Sequence, residues 1–173
     1  LSQVAGMGDG AGAADLPPAA RRALVVEDNA GDRWFYSELL RSRGYHVLSC
    51  ETGEAAWDAF VADPPPLVLV DLMLPGMDGI ELCRRIRSHP EGSEPVVLAV
   101  TGHDDHDSLQ ETLDAGADDF LRKPVPPALF FIRIQIAEQR IRDRLERQGA
   151  RAALQLKTWE LEQLFRNLPD VFF

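Results

Sequence analysis

The sequence is poor in cysteine and has no long apolar run. Cys50 and Cys83 are the two cysteines among its 173 residues, which is too few for the disulfide framework of a small secreted domain. No stretch of about 18 apolar residues is present that could span a bilayer. Residues 1–15 also lack the basic and apolar regions of a signal peptide. These features predict a cytoplasmic protein that makes no contact with a membrane.

Positive charge is also scarce. The chain has 28 acidic and 18 basic side chains, which gives a formal net charge of -10. The acidic excess belongs to residues 1–125, with 22 acidic and 10 basic side chains, whereas residues 126–173 have 6 and 8. Because affinity for nucleic acids comes largely from Lys and Arg side chains that neutralise phosphates, we expect no direct binding of nucleic acid.

Short apolar runs alternate with segments of helical periodicity from Ala23 onward. The runs, most of them rich in β-branched residues, lie at 23–26, 46–49, 67–70, 96–100 and 119–121. The helical segments lie at 31–42, 53–61, 79–87 and 108–115, and spacing in the first places Trp34, Leu39 and Leu40 on its buried face. This alternation predicts an α/β fold with a doubly wound parallel sheet of five strands.

Polar side chains follow four of the five apolar runs. In chain order they are Glu27, Asp28, Asp71, Thr101 and Lys123, and Pro124 follows Lys123. Ligands of open parallel sheets bind outside the carboxyl ends of the strands, so we expect these residues to converge. Three adjacent carboxylates need a cation, and oxygen ligands without His or Cys suit Mg²⁺. With Lys123 and Thr101 available for the remaining oxygens, the cluster predicts a site for a phosphoryl group.

Four segments together resemble the receiver domain of bacterial two-component response regulators. They are Val-Glu-Asp-Asn at 26–29, Asp-Leu-Met-Leu-Pro-Gly-Met-Asp-Gly at 71–79, Val-Thr-Gly at 100–102 and Ala-Asp-Asp-Phe-Leu-Arg-Lys-Pro at 117–124. The resemblance implies a flavodoxin-like sheet with strand order 2-1-3-4-5. It also implies a phosphorelay module that promotes its own phosphorylation and dephosphorylation and is not itself a turnover enzyme.

The resemblance assigns the metal and phosphoryl chemistry to particular residues. Asp71 is the phosphoacceptor, which receives its phosphoryl group from a phosphohistidine of a sensor histidine kinase. Asp28, Asp71 and the backbone carbonyl of Met73 ligate Mg²⁺, and Glu27 acts mainly through a water molecule on the metal. Lys123 binds a phosphoryl oxygen.

The same resemblance assigns a conformational switch. Thr101 moves toward the attached phosphoryl group, and Phe120 occupies the position of the aromatic residue that swings inward with it. Because Phe120 has no hydroxyl, its coupling to Thr101 depends on packing. The peptide bond between Lys123 and Pro124 is expected to be cis, which is inexpensive before proline.

Residues 128–168 contain no proline and one glycine, Gly149, and they predict one long helix or two abutting helices. A thin apolar stripe runs through Phe131, Ile134, Glu138, Ile141, Leu145, Gln148 and Ala152, and a second, offset stripe runs through Leu154, Leu161, Leu164 and Leu168. A receiver domain can pack only three to four turns of this helix, so we expect a parallel coiled-coil homodimer beyond about Arg140.

The last residues, 162–173, resemble the start of a PAS sensory domain. The expected organisation is therefore a flexible leader at 1–20, a receiver domain at 21–139, a coiled-coil signalling helix at 140–168 and a truncated further domain at 169–173. The output domain would lie outside this chain.

Two other functions compete with phosphoryl acceptance. The chain could be a phosphate-independent dimerisation module with a vestigial site. It could instead be a Mg²⁺-dependent phosphohydrolase with an aspartyl nucleophile, although Met73 stands where that chemistry needs a second carboxylate. A dinucleotide-binding domain is excluded, because the turn at 27–31 is acidic and lacks the glycine fingerprint.

Overall fold

The computed structural model describes residues 15–91, 95–102 and 106–166, in which strands and helices alternate. The strands are β1 (Arg22–Val26), β2 (His46–Cys50), β3 (Leu67–Asp71), β4 (Val96–Thr101) and β5 (Asp119–Arg122). The helices are α1 (Ala30–Ser42), α2 (Gly53–Ala62), α3 (Gly79–Ser88), α4 (His106–Asp114) and α5 (Pro127–Arg166). Every element predicted from the sequence is present, with ends that differ by at most two residues.

The five strands form one parallel sheet in the order β2-β1-β3-β4-β5. This confirms the predicted doubly wound, flavodoxin-like fold with a long C-terminal helix. All residues of the two strands β3 and β4 are buried, which explains why their sequences are apolar without alternation.

The core consists of two clusters, one on each face of the sheet. Val25 packs with residues of α1 and α5, such as Leu40 and Phe130. Val26 instead packs with residues of α2 and α3, such as Phe60. Successive side chains of a strand point to opposite faces, so α1 and α5 cover one face and α2 and α3 cover the other.

Short polar side chains and glycines set the helix boundaries. The Oδ1 of Asn29 accepts hydrogen bonds from the first turn of α1, Thr52 caps α2, and Asp78 caps α3. Gly44 and Gly116, with φ of 91° and 104°, follow α1 and α4 in the left-handed conformation that favours glycine. Because all three caps lie between a strand and the next helix, they shape the loops at the carboxyl ends of the strands.

The prediction that Trp34 lies on the buried face of α1 is wrong. Its side chain is 65% exposed, whereas the buried residues of α1 are Tyr36, Ser37 and Leu40. Tyr36 stacks on Phe130 of α5, with ring centroids 5.8 Å apart. This contact directs the Tyr36 face of α1 toward the core and leaves Trp34 outside it.

The packed core extends beyond the expected limits of the receiver domain. Leu16 and Ala20, which the sequence analysis places in the leader, are buried in the cluster with α1 and α5. The Nε of Arg21 donates a 2.7 Å hydrogen bond to the carbonyl oxygen of Leu16. At the other end, Ile141 is also buried in this cluster, beyond the expected boundary at residue 139.

The chain divides into two units, residues 1–141 and 142–173. The first contains the sheet and both core clusters. The described part of the second, residues 142–166, is helical, and its large apolar side chains are exposed. Within the described ranges, no helix is long and apolar enough to cross a membrane. The expected domain start at 169–173 lies outside the described residues.

Candidate functional site

Three carboxylates meet at the carboxyl ends of β1 and β3. Asp71 is the last residue of β3, and Glu27 and Asp28 directly follow β1. One oxygen from each of the three lies within 4.8 Å of the others. Glu27 and Asp71 are buried, whereas Asp28 is exposed. The structure therefore brings together the acidic residues that the sequence analysis selected.

Lys123 contacts two of these carboxylates and that of Asp32. Its Nζ is 2.6 Å from Asp71 Oδ2, 2.9 Å from Glu27 Oε2 and 3.1 Å from Asp32 Oδ2. Nζ donates hydrogen bonds to Asp71 and Glu27 and forms an ion pair with Asp32. We call Glu27, Asp28, Asp32, Asp71 and Lys123 the acidic site.

Burial and mutual repulsion change the ionisation of this site. Burial raises the pKa of Glu27 to about 7, with a further contribution from the negative charge of Asp71, and the contact with Lys123 opposes both. Burial alone would lower the pKa of Lys123, but its hydrogen bonds to Asp71, Glu27 and Asp32 outweigh burial and raise it. These contacts favour the charged ammonium, while burial favours the protonated form of Glu27.

The loop between β3 and α3 fixes the carboxylate of Asp71. The backbone N–H of Met73 donates a 2.8 Å hydrogen bond to Asp71 Oδ1, while Lys123 takes Oδ2. Farther along the loop, the N–H of Met77 donates to Glu54 Oε1 at 2.8 Å. At Gly79, an added Cβ would overlap the carbonyl oxygen of Asp71. The loop therefore leaves Asp71 little freedom.

Arg33 supports the loop that carries the acidic pair. Its Nη1 donates to the carbonyl oxygens of Glu27 and Asp28, at 2.8 and 3.1 Å. Its Nη2 contacts Glu51 at 2.9 Å. The guanidinium thus joins α1 to the loops after β1 and β2.

The remaining predicted residues lie at the ends of β4 and β5. Thr101 is the buried last residue of β4, and its carbonyl oxygen accepts a 2.8 Å hydrogen bond from the N–H of Lys123. Phe120 lies in β5 and packs partly buried against the cluster that contains Phe60. The peptide bond between Lys123 and Pro124 is cis. The strand register therefore brings the loop that carries Lys123 beside Thr101.

Sequence reasoning did not select Asp32, Arg33 or Tyr36. All three lie in α1. Asp32 belongs to the acidic site, and Arg33 contacts the backbone of Glu27. The missed signal is the helical spacing: Asp32 stands four residues after Asp28, in the first turn of the helix that the acidic pair precedes. Side chains in that turn point back over the loop, which brings Asp32 to Lys123.

The donor set fits a magnesium ion. The three grouped carboxylates offer oxygen ligands, which Mg²⁺ prefers, and two or more of its positions can remain with water or phosphate oxygens. Burial raises the pKa of Glu27 although Lys123 opposes the shift. A divalent cation would add positive charge and favour the ionised carboxylate.

A protein-family model of the response regulator receiver domain matches residues 23–135. The chain belongs to this family. Receiver domains are phosphorelay signal receivers, and sensor histidine kinases phosphorylate them. They bind Mg²⁺ at an acidic pocket and are generally not catalytic. In this receiver domain the matched residues cover β1 from Ala23 onward, the other four strands, the acidic site and the first turns of α5.

Relatives of this receiver domain differ in length and in name. A cyclic di-GMP phosphodiesterase from Thermotoga maritima is 34% identical over 154 residues, which are 87% of the chain and 41% of the relative. The response regulator MprA from Mycolicibacterium vanbaalenii is 39% identical over 103 residues, 60% of the chain and 44% of the relative. The chain thus spans less than half the length of these curated relatives.

Solved structures show the same fold. A CheY-like response regulator receiver domain protein from Methanospirillum hungatei superposes with a TM-score of 0.66 at 26% identity. That similarity covers 70% of this chain and 96% of the solved one.

Proposed function

We propose that Asp71 accepts a phosphoryl group from a histidine kinase. A carboxylate oxygen of Asp71 forms a bond to phosphorus, and the bond from phosphorus to the histidine nitrogen breaks. The electron pair of that bond stays on the imidazole, and the product is an acyl phosphate on Asp71. The observation that carries this proposal is the buried carboxylate of Asp71, held by Lys123 on one oxygen and by the Met73 N–H on the other.

The other residues of the acidic site would support this transfer. Asp28, Asp71 and the carbonyl of Met73 would hold Mg²⁺, with Glu27 acting through a bound water. When bound, the ion supplies positive charge to the carboxylates and to the incoming phosphoryl oxygens. Lys123 would donate a hydrogen bond to a phosphoryl oxygen, which keeps its charge beside the product.

Thr101 and Phe120 would transmit the effect of phosphorylation to α5. Their strand neighbours Val100 and Leu121 are buried in the cluster that also contains Phe130 and Ile134 of α5. A displacement at the ends of β4 and β5 therefore has a packed route to this helix. We infer that α5 carries the signal toward an output domain.

Mass spectrometry of the intact protein tests phosphoryl acceptance. Wild type, Asp71→Asn and the surface control Asp58→Asn are incubated with acetyl phosphate, with and without Mg²⁺. Wild type and the control should gain one phosphoryl group when Mg²⁺ is present, and Asp71→Asn should gain none. Equal labelling of Asp71→Asn would overturn the assignment, and no labelling of any variant would favour the phosphate-independent dimerisation module.

We further propose that a second copy of the chain pairs in parallel along the helix of residues 142–166. Leu154, Leu161, Leu164 and Phe165 each expose at least half of their surface. Leu154, Leu161 and Phe165, together with Thr158, follow the four-and-three spacing of a coiled coil. A second copy would bury these side chains. The two copies would repel each other little, since residues 126–173 carry nearly balanced charge.

Sedimentation analysis of the chain tests the pairing. Leu161→Asp should convert a dimer into a monomer, because the carboxylate would enter the pairing surface. The matched control is Leu156→Asp, a leucine with similar exposure on the opposite side of the helix. A wild-type monomer at tens of micromolar, both with and without acetyl phosphate, would reject the dimer.

The whole protein would carry an output domain after this helix. Support comes from the relative named cyclic di-GMP phosphodiesterase, whose match to this chain is longer than the family match and leaves more than half of that relative uncovered. Hydrolysis of cyclic di-GMP by the full-length protein, stimulated by phosphorylation of Asp71, would support a catalytic output. Hydrolysis that Asp71→Asn leaves unchanged would show that phosphorylation of this receiver does not control the output domain.

A further inference from the structure

Lys123 has one partner that differs from the other two. Glu27 and Asp71 are buried, but the side chain of Asp32 is 44% exposed, and its 3.1 Å contact with Lys123 is the longest of the three. Asp32 lies in the first turn of α1, not at the end of a strand. The ammonium is therefore shared between the buried acidic residues and a carboxylate in contact with water.

We propose that Asp32 is a positioning residue that holds Lys123 before phosphorylation and releases it to the phosphoryl group. In this role Asp32 sets the balance between Mg²⁺ affinity and the rate of phosphorylation. The inference rests on the proposed function of Asp71 and concerns a residue outside the grouped metal ligands.

Lys123 needs a donor for the incoming phosphoryl oxygen. Its Nζ already donates hydrogen bonds to Glu27 and Asp71 and forms a third, longer ion-pair contact with Asp32, so the phosphoryl oxygen competes with these carboxylates for an ammonium that has three donors. Glu27 is 1% exposed and has no solvent to replace the lost bond. Asp32 can turn to water, and the N-terminus of α1 still stabilises its negative charge. The contact with Asp32 is therefore the least costly to give up.

The charge of Asp32 acts in opposite directions on the two ligands. The acidic site places four carboxylates around one ammonium. The fourth carboxylate attracts a divalent cation and repels a phosphoryl donor that carries two negative charges. Removal of Asp32 should therefore weaken Mg²⁺ binding and, once Mg²⁺ is saturating, accelerate phosphorylation. A merely structural role would impair both.

The experiment compares Asp32→Ala, Asp32→Asn and Asp32→Glu with wild type. Calorimetric titration with Mg²⁺ alone should give a dissociation constant raised about threefold in Asp32→Ala, the size expected for a partly exposed charge contact. Phosphorylation by acetyl phosphate at saturating Mg²⁺ should be about threefold faster. Asp32→Asn should show the same direction in both measurements, and Asp32→Glu should restore values near those of wild type.

Each outcome decides a separate question. Slower or unchanged phosphorylation of Asp32→Ala, in a variant whose circular dichroism matches wild type, overturns the role of Asp32. Unchanged Mg²⁺ affinity also overturns it. A wild type that gains no phosphoryl group rejects the proposed function itself, so the two failures remain distinguishable. Asp58→Asn, which changes an exposed charge on α2, should leave both measurements unchanged.

Discussion

Arg43 and Glu138 form an ion pair across 95 positions of sequence, and the carboxylate of Glu138 is completely buried. Arg43 Nε donates to Oε1 at 3.1 Å and Nη2 donates to Oε2 at 2.6 Å. The same guanidinium lies 5.8 Å from the ring centroid of Phe131. The residue after α1 is thereby joined to the last buried turn of α5.

Arg43→Ala should strongly destabilise the receiver unit. The substitution leaves the buried carboxylate of Glu138 without its cation, which costs about 3–5 kcal/mol in proteins. Urea unfolding measures the loss of free energy. The control Arg41→Ala breaks the exposed pair of Arg41 with Glu38 and should cost less than about 1 kcal/mol. Equal losses of unfolding free energy in the two variants would show that burial of Glu138 adds nothing to the importance of its ion pair.

Without Mg²⁺, the stability of the protein should fall as the pH rises from about 4.5 to about 7. The pKa of Glu27 is 4.5 when unperturbed and about 7 in the folded protein. Between these values the folded state holds a proton that the unfolded state has released, so raising the pH favours unfolding by about 3 kcal/mol in all. Below pH 4.5 and above pH 7, the contribution of Glu27 to the free energy of unfolding no longer changes with pH.

Glu27→Gln should remove that pH-dependent component. The comparison needs unfolding curves of both proteins at several pH values in the presence of a chelator. Added Mg²⁺ should reverse the trend for wild type, because the ion favours the ionised carboxylate. Parallel curves for the two proteins would show that Glu27 ionises normally.

Lys123→Met should bind Mg²⁺ more tightly than wild type. Methionine keeps much of the side-chain volume but removes the positive charge that lies 2.6 Å from Asp71 and 2.9 Å from Glu27. The carboxylates then attract a cation without competition. We expect a dissociation constant lowered severalfold by calorimetry, together with loss of phosphorylation. Weaker Mg²⁺ binding would show that Lys123 mainly orders the ligands.

Two glycines should respond in opposite ways to alanine. Gly79→Ala places a Cβ against the carbonyl oxygen of Asp71, and overpacking of this kind costs about 1–3 kcal/mol. Gly149 lies inside α5 with no atom within 4 Å of an added Cβ, so Gly149→Ala should stabilise the helix by about 0.5–1 kcal/mol. Thermal unfolding followed by circular dichroism measures both, and a stabilised Gly79→Ala protein would refute the close approach.

Local patterns in the sequence were sufficient to predict the sheet and most of the site. Apolar runs such as 67–70 have the composition of buried strands, and the position of Asp71 after that run places it at the edge where ligands bind. The convergence of Glu27, Asp28 and Lys123 on Asp71 follows from the shared edge at which parallel strands end, and the family resemblance supplied the strand order. These features depend on spacing within short segments or on a known topology.

Contacts between distant helices could not be predicted in this way. Glu138 occupies an apolar stripe in the sequence and its partner Arg43 follows α1, so neither position alone reveals the buried ion pair. The exposure of Trp34 depends similarly on the stacking of Tyr36 on Phe130. Asp32 has helical spacing to Asp28, but its contact with Lys123 exists only once β1 and β5 share one sheet.

The buried residues outside the family match determine where this receiver domain can be joined to another protein. Leu16 and Ala20 precede residue 23, and Ala137, Glu138 and Ile141 follow residue 135, yet all five are buried in the folded unit. A hybrid sensor joined at the family limits would expose apolar surface at both junctions and would lose the ion pair to α5. Fusion points before Asp15 and after Ile141 keep the whole unit.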